Sequence, residues 1–152
     1  MTRLKRILYP TDFSDFSLHA AKYAQSFASD YKAQFHALHV LEPYYAMADV
    51  KGVADQPTPV ESLSTLDERL AQFCKEHFQA VDMVIHKTVV GRPFLEIIRY
   101  AKEHEIDLIV LGTHGRGVLS HVLIGSVAEK VVRKSPCPVL TVRHPEHEFV
   151  MP

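Results

Sequence analysis

Residues Leu108-Ile-Val-Leu111 form an unbroken apolar run that ends at Gly112. A half-exposed strand would alternate; an unbroken run suits a strand covered on both faces, as in parallel sheets with helical crossovers. Strand-like and helix-like stretches alternate along the rest of the chain. Residues 4–9 read as a first strand stopped by Pro10. Ser14 can cap a helix over about 15–31, with Leu18, Ala21, Ala24, Phe27 and Ala28 along one face. Residues 33–41 read as a second strand ending Leu38-His-Val-Leu41. Thr58-Pro59-Val60-Glu61 has the form of a capping box with proline at the first helical position. The helix it opens reaches about residue 79 and carries Leu63, Leu66, Leu70, Phe73 and His77 on a stripe. A third strand fits 82–89. Gly91-Arg92-Pro93 opens a third helix that buries Phe94, Ile97, Ile98 and Ala101. The fourth strand is 107–111, the fourth helix about 127–135 and the last strand 138–142. This alternation predicts an α/β fold with right-handed crossovers: a five-stranded parallel sheet with helices on both faces. One domain is expected over 1–143, with a frayed tail over 144–152.

Composition narrows the function. A chain of 152 residues suits one compact domain, and 47% apolar with 23% charged residues is ordinary for a soluble one. A net charge of −1, with no basic stripe, disfavours nucleic acid as a partner. No apolar run approaches the ~20 residues of a membrane helix. The basic start, Met-Thr-Arg-Leu-Lys-Arg6, lacks the apolar stretch of a secretory signal. Cys74 and Cys137 lie far apart without CxxC spacing, so free thiols and a cytoplasmic location are expected. The ten histidines are scattered without zinc-type spacing; His36 and His39, three apart on one strand, should face opposite ways.

In such sheets ligands bind outside the carboxyl ends of the strands, where the strand order reverses. The loops after strands one, two and four should meet there. Gly112-Thr-His-Gly115 is followed by nine residues and then Gly125-Ser126. Glycines after a strand, followed by a fresh helix start, bring backbone N–H groups and a dipole to phosphate. Gly117 adds room. His114 and Arg116 can make charge-assisted contacts, although a loop arginine is more often simply solvated. Ser126 precedes Val-Ala-Glu129, which reads as another capping box; a cap and a phosphate ligand are compatible roles. Asp12, after Pro10-Thr11, suits a turn and a ribose or adenine contact about equally. The backbone at His39-Val40 can meet an adenine edge, but core strand residues are the simpler reading. The spacing G-x-x-G-x-G is neither the dinucleotide fingerprint nor a Walker A loop.

These residues carry a resemblance. Arg6-Ile-Leu-Tyr-Pro-Thr-Asp-Phe-Ser14, Leu38-His-Val40, Gly91-Arg-Pro93, Asp107 to Gly115, Leu123-Ile-Gly-Ser-Val127 and Cys137-Pro-Val-Leu-Thr-Val142 together resemble a single-domain, ATP-binding universal stress protein. The resemblance spans nearly the whole chain outside 44–59 and the tail, and the family's G-x2-G-x9-G-[S/T] motif is intact. It implies an open sheet of order 3-2-1-4-5, of the adenine nucleotide alpha hydrolase-like and flavodoxin-like kind. It implies ATP, or ADP or AMP, bound with Mg2+. Gly112, His114, Gly115, Gly125, Ser126 and Val127 would hold phosphates and ribose, and Pro10, Asp12 and Val40 the adenosine end. It further implies a stress-response sensor or signalling role and a homodimer through the last strand, Val139, Leu140, Thr141 and Val142. That strand lacks the proline or lysine that would protect an edge. The chain departs from the family at Arg92, often acidic in relatives, and at Ala128, a threonine in some. Slow ATP hydrolysis is the alternative; His114, His121 and Asp12 are the only evident bases, and no Walker B pattern is present. A phosphoacceptor receiver is disfavoured, because strand three ends without aspartate and strand five without lysine. Flavin binding is disfavoured by the Thr-Asp-Phe-Ser14 loop, which is no phosphate cradle.

Overall fold

A computed structural model describes residues 3–42, 63–114 and 124–145. Nine elements follow in strict alternation: β1 (Arg6–Pro10), α1 (Asp15–Tyr31), β2 (Gln34–Leu41), α2 (Leu63–His77), β3 (Val84–Val90), α3 (Pro93–Glu103), β4 (Leu108–Gly112), α4 (Ser126–Lys134) and β5 (Val139–Val142). The strands form one parallel sheet in the order β3-β2-β1-β4-β5. The expected fold class and strand order are therefore those observed. Boundaries moved by one or two residues at most strand and helix ends. Pro10 is the last residue of β1 rather than the residue after it, since a strand end needs no further N–H from proline. The Thr58 capping box lies outside the described residues.

The central strands are buried on both faces, as their unbroken apolar runs demand. Ile7, Leu8 and Tyr9 of β1 and Ile109 and Val110 of β4 have no exposed surface, and Leu111 very little. Their side chains divide by parity. Ile7, Tyr9, Phe35, Ala37 and Val110 pack on α1 and α2. Leu8, Leu38, Ile109 and Leu111 pack on α3 and α4, through Ile97, Tyr100, Ala101, Ala128 and Val131.

α1 meets the sheet with small residues: Ser17, Ala20, Ala21, Ala24 and Ala28 are buried. Leu18 and Phe27, expected on the buried face, are only partly covered. Short side chains let the helix axis approach the sheet, which moves the larger residues to the flank. Ser14 caps α1, accepting from the Ser17 N–H at 3.3 Å, and Lys32 ends it in the left-handed region at φ 51°. Leu63 of α2 is exposed and Cys74 takes a place on its buried stripe with Leu66 and Leu70. In α3, Tyr100 is buried where Ile98 was expected. Its ring suits the core, and its hydroxyl is satisfied by His36.

Two buried polar clusters lie within these layers. At the carboxyl end, Tyr9 Oη donates to the Ser17 carbonyl at 2.8 Å and lies 2.7 Å from Ser17 Oγ, which donates to Thr11 Oγ1 at 2.6 Å. Burial pushes the Tyr9 phenol up to about 12. At the opposite end, His36 and His39 do face opposite sides, and His36 is almost fully buried. His36 Nε2 lies 2.8 Å from Gln34 Oε1 and Nδ1 lies 2.9 Å from Tyr100 Oη. The amide oxygen can only accept, so Nε2 carries the proton and Nδ1 accepts from the phenol. Burial, reinforced by the neighbouring His104 and Arg6, lowers the His36 pKa to about 4.

The fold holds His36 neutral, so between pH 6.5 and about 4 the unfolded chain binds the extra proton. Stability is then complete above pH 6.5, falls as the pH drops, and levels off below about 4. His36 should contribute up to about 3 kcal/mol of the loss that urea unfolding shows across this range. The His36→Leu variant, whatever its absolute stability, should lack that contribution.

Candidate functional site

The sheet opens at the point where its strand order reverses. β1 pairs with β2 along five residues and β4 with β5 along four, but β1 and β4 pair only at Ile7–Leu108 and Leu8–Ile109. Beyond Leu8 and Ile109 each central strand follows its outer neighbour, and the carboxyl ends part. A cavity of about 690 Å³ occupies the crevice, within the size range of nucleotide and drug-sized ligands. The ends of β1, β2 and β4 and the start of α4 all line it, together with Leu66 and Arg69 of α2 and Pro93 and Ile97 of α3.

The turn after β1 is tightly built. Thr11 continues the sheet by donating its N–H to the Leu38 carbonyl at 2.9 Å. Its buried hydroxyl accepts from the Phe13 N–H at 3.0 Å. Asp12 Oδ1 accepts from both the N–H and the hydroxyl of Ser14. Asp12 therefore forms the turn, one of its two expected roles, and also lines the cavity. Phe13 adopts φ 63°, a left-handed conformation unusual for a bulky residue. It holds its ring against His39, Phe73 and the Arg69 guanidinium at centroid distances of 4.6, 5.6 and 4.4 Å. His39 Nδ1 lies 2.9 Å from the Thr11 carbonyl. A carbonyl only accepts, so Nδ1 carries the proton and the ring tautomer is set.

The glycine motif divides into different tasks. Gly112 is the last residue of β4, and a Cβ on it would come within 2.9 Å of the Phe16 carbonyl oxygen. Its lack of a side chain lets α1 approach the strand end. Thr113 is buried and donates its N–H to the Val142 carbonyl at 3.0 Å, while its own carbonyl accepts from the Gly125 N–H. The two ends of the motif are thus joined at Thr113 and Gly125, and a Cβ on Gly125 would sit 3.0 Å from the Thr113 oxygen. His114 is buried at 8% exposure, with Nδ1 against the Thr113 hydroxyl at 2.9 Å. Gly115 and Arg116 lie outside the described residues.

The helix start corrects the expected capping box. Gly125 is the N-cap of α4, without a side-chain cap, and Ser126 is the first helical residue. Glu129 pairs instead with Arg133 at 3.0 Å, one turn onward. The S-x-x-E pattern is shifted by one residue because the Gly125–Thr113 hydrogen bond fixes where the helix begins. The first intrahelical bond of the helix joins the Glu129 N–H to the Gly125 carbonyl at 3.0 Å. Ser126, Val127 and Ala128 therefore stand at the three positions whose N–H groups have no acceptor within a helix, and all three line the cavity. A helix start of this kind carries a partial positive charge and attracts anions.

The cavity therefore gathers every expected site residue that the structure describes: Pro10, Asp12, Val40, Gly112, His114, Gly125, Ser126 and Val127. A model of the universal stress protein family matches residues 3–143. The chain belongs to that family. Universal stress protein MJ0531 of Methanocaldococcus jannaschii is 35% identical over 155 residues, covering 95% of this chain and 85% of that protein. The solved structure of universal stress protein UspA from Lactobacillus plantarum superimposes with a TM-score of 0.69 at 30% identity, covering 94% of this chain and all of that one, 100%. A universal stress protein solved in complex with cAMP shares the fold at a TM-score of 0.66 and 24% identity, with 93% and 98% of the two chains covered.

Among the lining residues not anticipated, three stand out. Thr113 joins the motif's ends, and Phe13 and Arg69 build the wall on the α2 side. Thr113 lay inside the motif but had no glycine to mark it. Arg69 carried no signal at all, because its place depends on how α2 lies over the sheet. Gly112→Ala should lower the unfolding free energy of the unliganded protein by about 1–3 kcal/mol, and the urea midpoint with it, because the added methyl meets backbone rather than a movable side chain. Chemical denaturation of the unliganded protein measures this.

Proposed function

We propose that this protein binds an adenine nucleotide in the crevice between β1 and β4. Base and ribose lie toward Pro10, Asp12 and Val40, and the phosphates toward Gly112, His114, Gly125, Ser126 and Val127. The observation that carries the reading is the start of α4, capped by no side chain among the described residues, opening on a cavity of nucleotide size. The cAMP complex of a protein with the same fold supports it by analogy. ATP is the favoured ligand, with ADP and AMP as alternatives. Among the described residues no group of three His, Cys, Asp or Glu side chains is placed to hold a metal. Mg2+ would accordingly enter with the phosphates, as it commonly does.

The functional role that follows is nucleotide-dependent signalling in a stress response, in the cytoplasm and as a homodimer. Binding would favour one conformation over another and so alter a partner surface. β5 is an edge strand of the sheet, and Val139, Leu140 and Thr141 are only partly covered, which suits pairing with a second copy. A monomer at high micromolar concentration with ATP present would remove the dimer from this reading. Among the described residues no helix is long and apolar enough to cross a membrane. Slow hydrolysis of ATP is the alternative reading: Asp12 uses Oδ1 in the turn and His114 has Nδ1 against Thr113, while His121 lies outside the described residues.

Mass spectrometry of the small molecules released on denaturation, followed by calorimetric titration, tests the ligand. The donor role of α4 is tested by Ser126→Pro. Proline is favoured at the first helical position, and Gly125, at φ −71° and ψ 159°, already has the extended conformation required before it. The substitution deletes one N–H and leaves the helix intact. Nucleotide affinity should fall about tenfold or more, as for loss of a hydrogen bond to a charged group. Ser126→Ala, which removes only the hydroxyl, should lose less. Equal, unchanged affinities in both folded variants would refute the phosphate cradle.

A further inference from the structure

The structure assigns a second recognition element to this crevice: we propose that Arg69, braced on Phe13, is a ligand-binding residue that stacks on the nucleobase and does not clamp the phosphates. The inference rests on the nucleotide reading above and deepens it by naming what holds the base.

Position within the fold is the first reason. Neighbouring paired strands lie about 4.8 Å apart, so in the order β2-β1-β4 the ends of β2 and β4 are at least about 10 Å apart, and more where β1 and β4 part. The helix start that attracts phosphate lies on the β4 side. Arg69 belongs to α2, which packs over β2 and β3, and it lines the cavity with Leu66, Val40 and Phe13. A nucleoside monophosphate laid across the crevice spans that separation, with its base at the α2 side.

The second reason is the brace. The Arg69 guanidinium carbon lies 4.4 Å from the Phe13 ring centroid, within the range of a cation–π contact. Phe13 itself is held in a left-handed conformation that costs of order 1–3 kcal/mol, with its N–H tied to Thr11 Oγ1. Backbone strain of this size is retained where the side chain it places has work to do. Here it sets an aromatic ring under a planar cation at the rim of the cavity. A guanidinium packs flat against aromatic faces and offers only donors, which suits the π-face and ring nitrogens of a purine. A Lys ammonium at the same place would also donate but has no planar face to lay against the base.

Titration of adenosine, AMP, ADP and ATP against the wild type, Arg69→Ala and Arg69→Lys decides the matter. Arg69 is exposed, so both variants should fold, and circular dichroism with thermal melting checks that. The expected result is a loss of roughly tenfold for Arg69→Ala that is the same for all four ligands, with lysine restoring little of it. A loss that grows with the number of phosphates would overturn the proposal and make Arg69 a phosphate clamp. Unchanged affinity of Arg69→Ala for every ligand, where the wild type does bind nucleotide, would overturn this proposal alone. A wild type that binds none of the four would overturn both this inference and the nucleotide reading.

Discussion

Everything at the site follows from the short pairing between β1 and β4. The two strands are deeply buried, and each is covered on both faces by helices. That burial fixes their amino-terminal halves side by side. After Leu8 and Ile109 their hydrogen bonding transfers entirely to β2 and β5, and the divergence leaves a crevice. Parallel strands point all their connections the same way, so the turn after β1 and the loop after β4 both emerge beside that opening. The chain is therefore obliged to place polar, tightly turned backbone next to a gap in the sheet, where a ligand can reach it.

The electrostatic character of the gap comes mainly from backbone. Among the described lining residues the acids Asp12 and Glu42 are matched by one arginine, Arg69, on the α2 side. On the β4 side the attraction for an anion comes from the start of α4. Among the described residues no side chain caps that start, for two reasons. Gly125 brings no side chain to cap the helix, and Ser126 is placed one residue too late to do so. The joined carbonyl and amide of Thr113 and Gly125 hold this arrangement to the end of β4, which is itself pinned to β5 through Thr113 and Val142. The edge strand proposed to meet a second copy is thus hydrogen-bonded directly to the base of the proposed phosphate site.

Some of this was legible before the structure. Unbroken apolar runs at 7–9 and 108–111 announce strands covered on both faces, because hydrophobicity over four to six residues is a local property. Pro93 and the glycine before it mark the start of α3, and Ser14 the start of α1, because caps and proline act within one turn of chain. The glycine motif pointed to the corner of the fold where the cavity lies. What the pattern could not separate were the duties of its members. Gly112 and Gly125 look alike in sequence, yet one admits the Phe16 carbonyl and the other the Thr113 carbonyl. The mistaken capping box at Ser126 arose in the same way, since a contact to Thr113, twelve residues earlier, sets the helix start.

The sequence by itself thus determined the alternation of elements, the parallel and doubly covered sheet, and the family to which the chain belongs, since each of these rests on short-range pattern or on motif spacing. Only the tertiary structure decided that His36 is neutral and enclosed by Tyr100 and Gln34, that α1 meets the sheet through alanines, and that Phe13 and Arg69 form a wall of the cavity. Each of these depends on the distance between elements far apart in the chain. That distance is set by the packing of both layers at once.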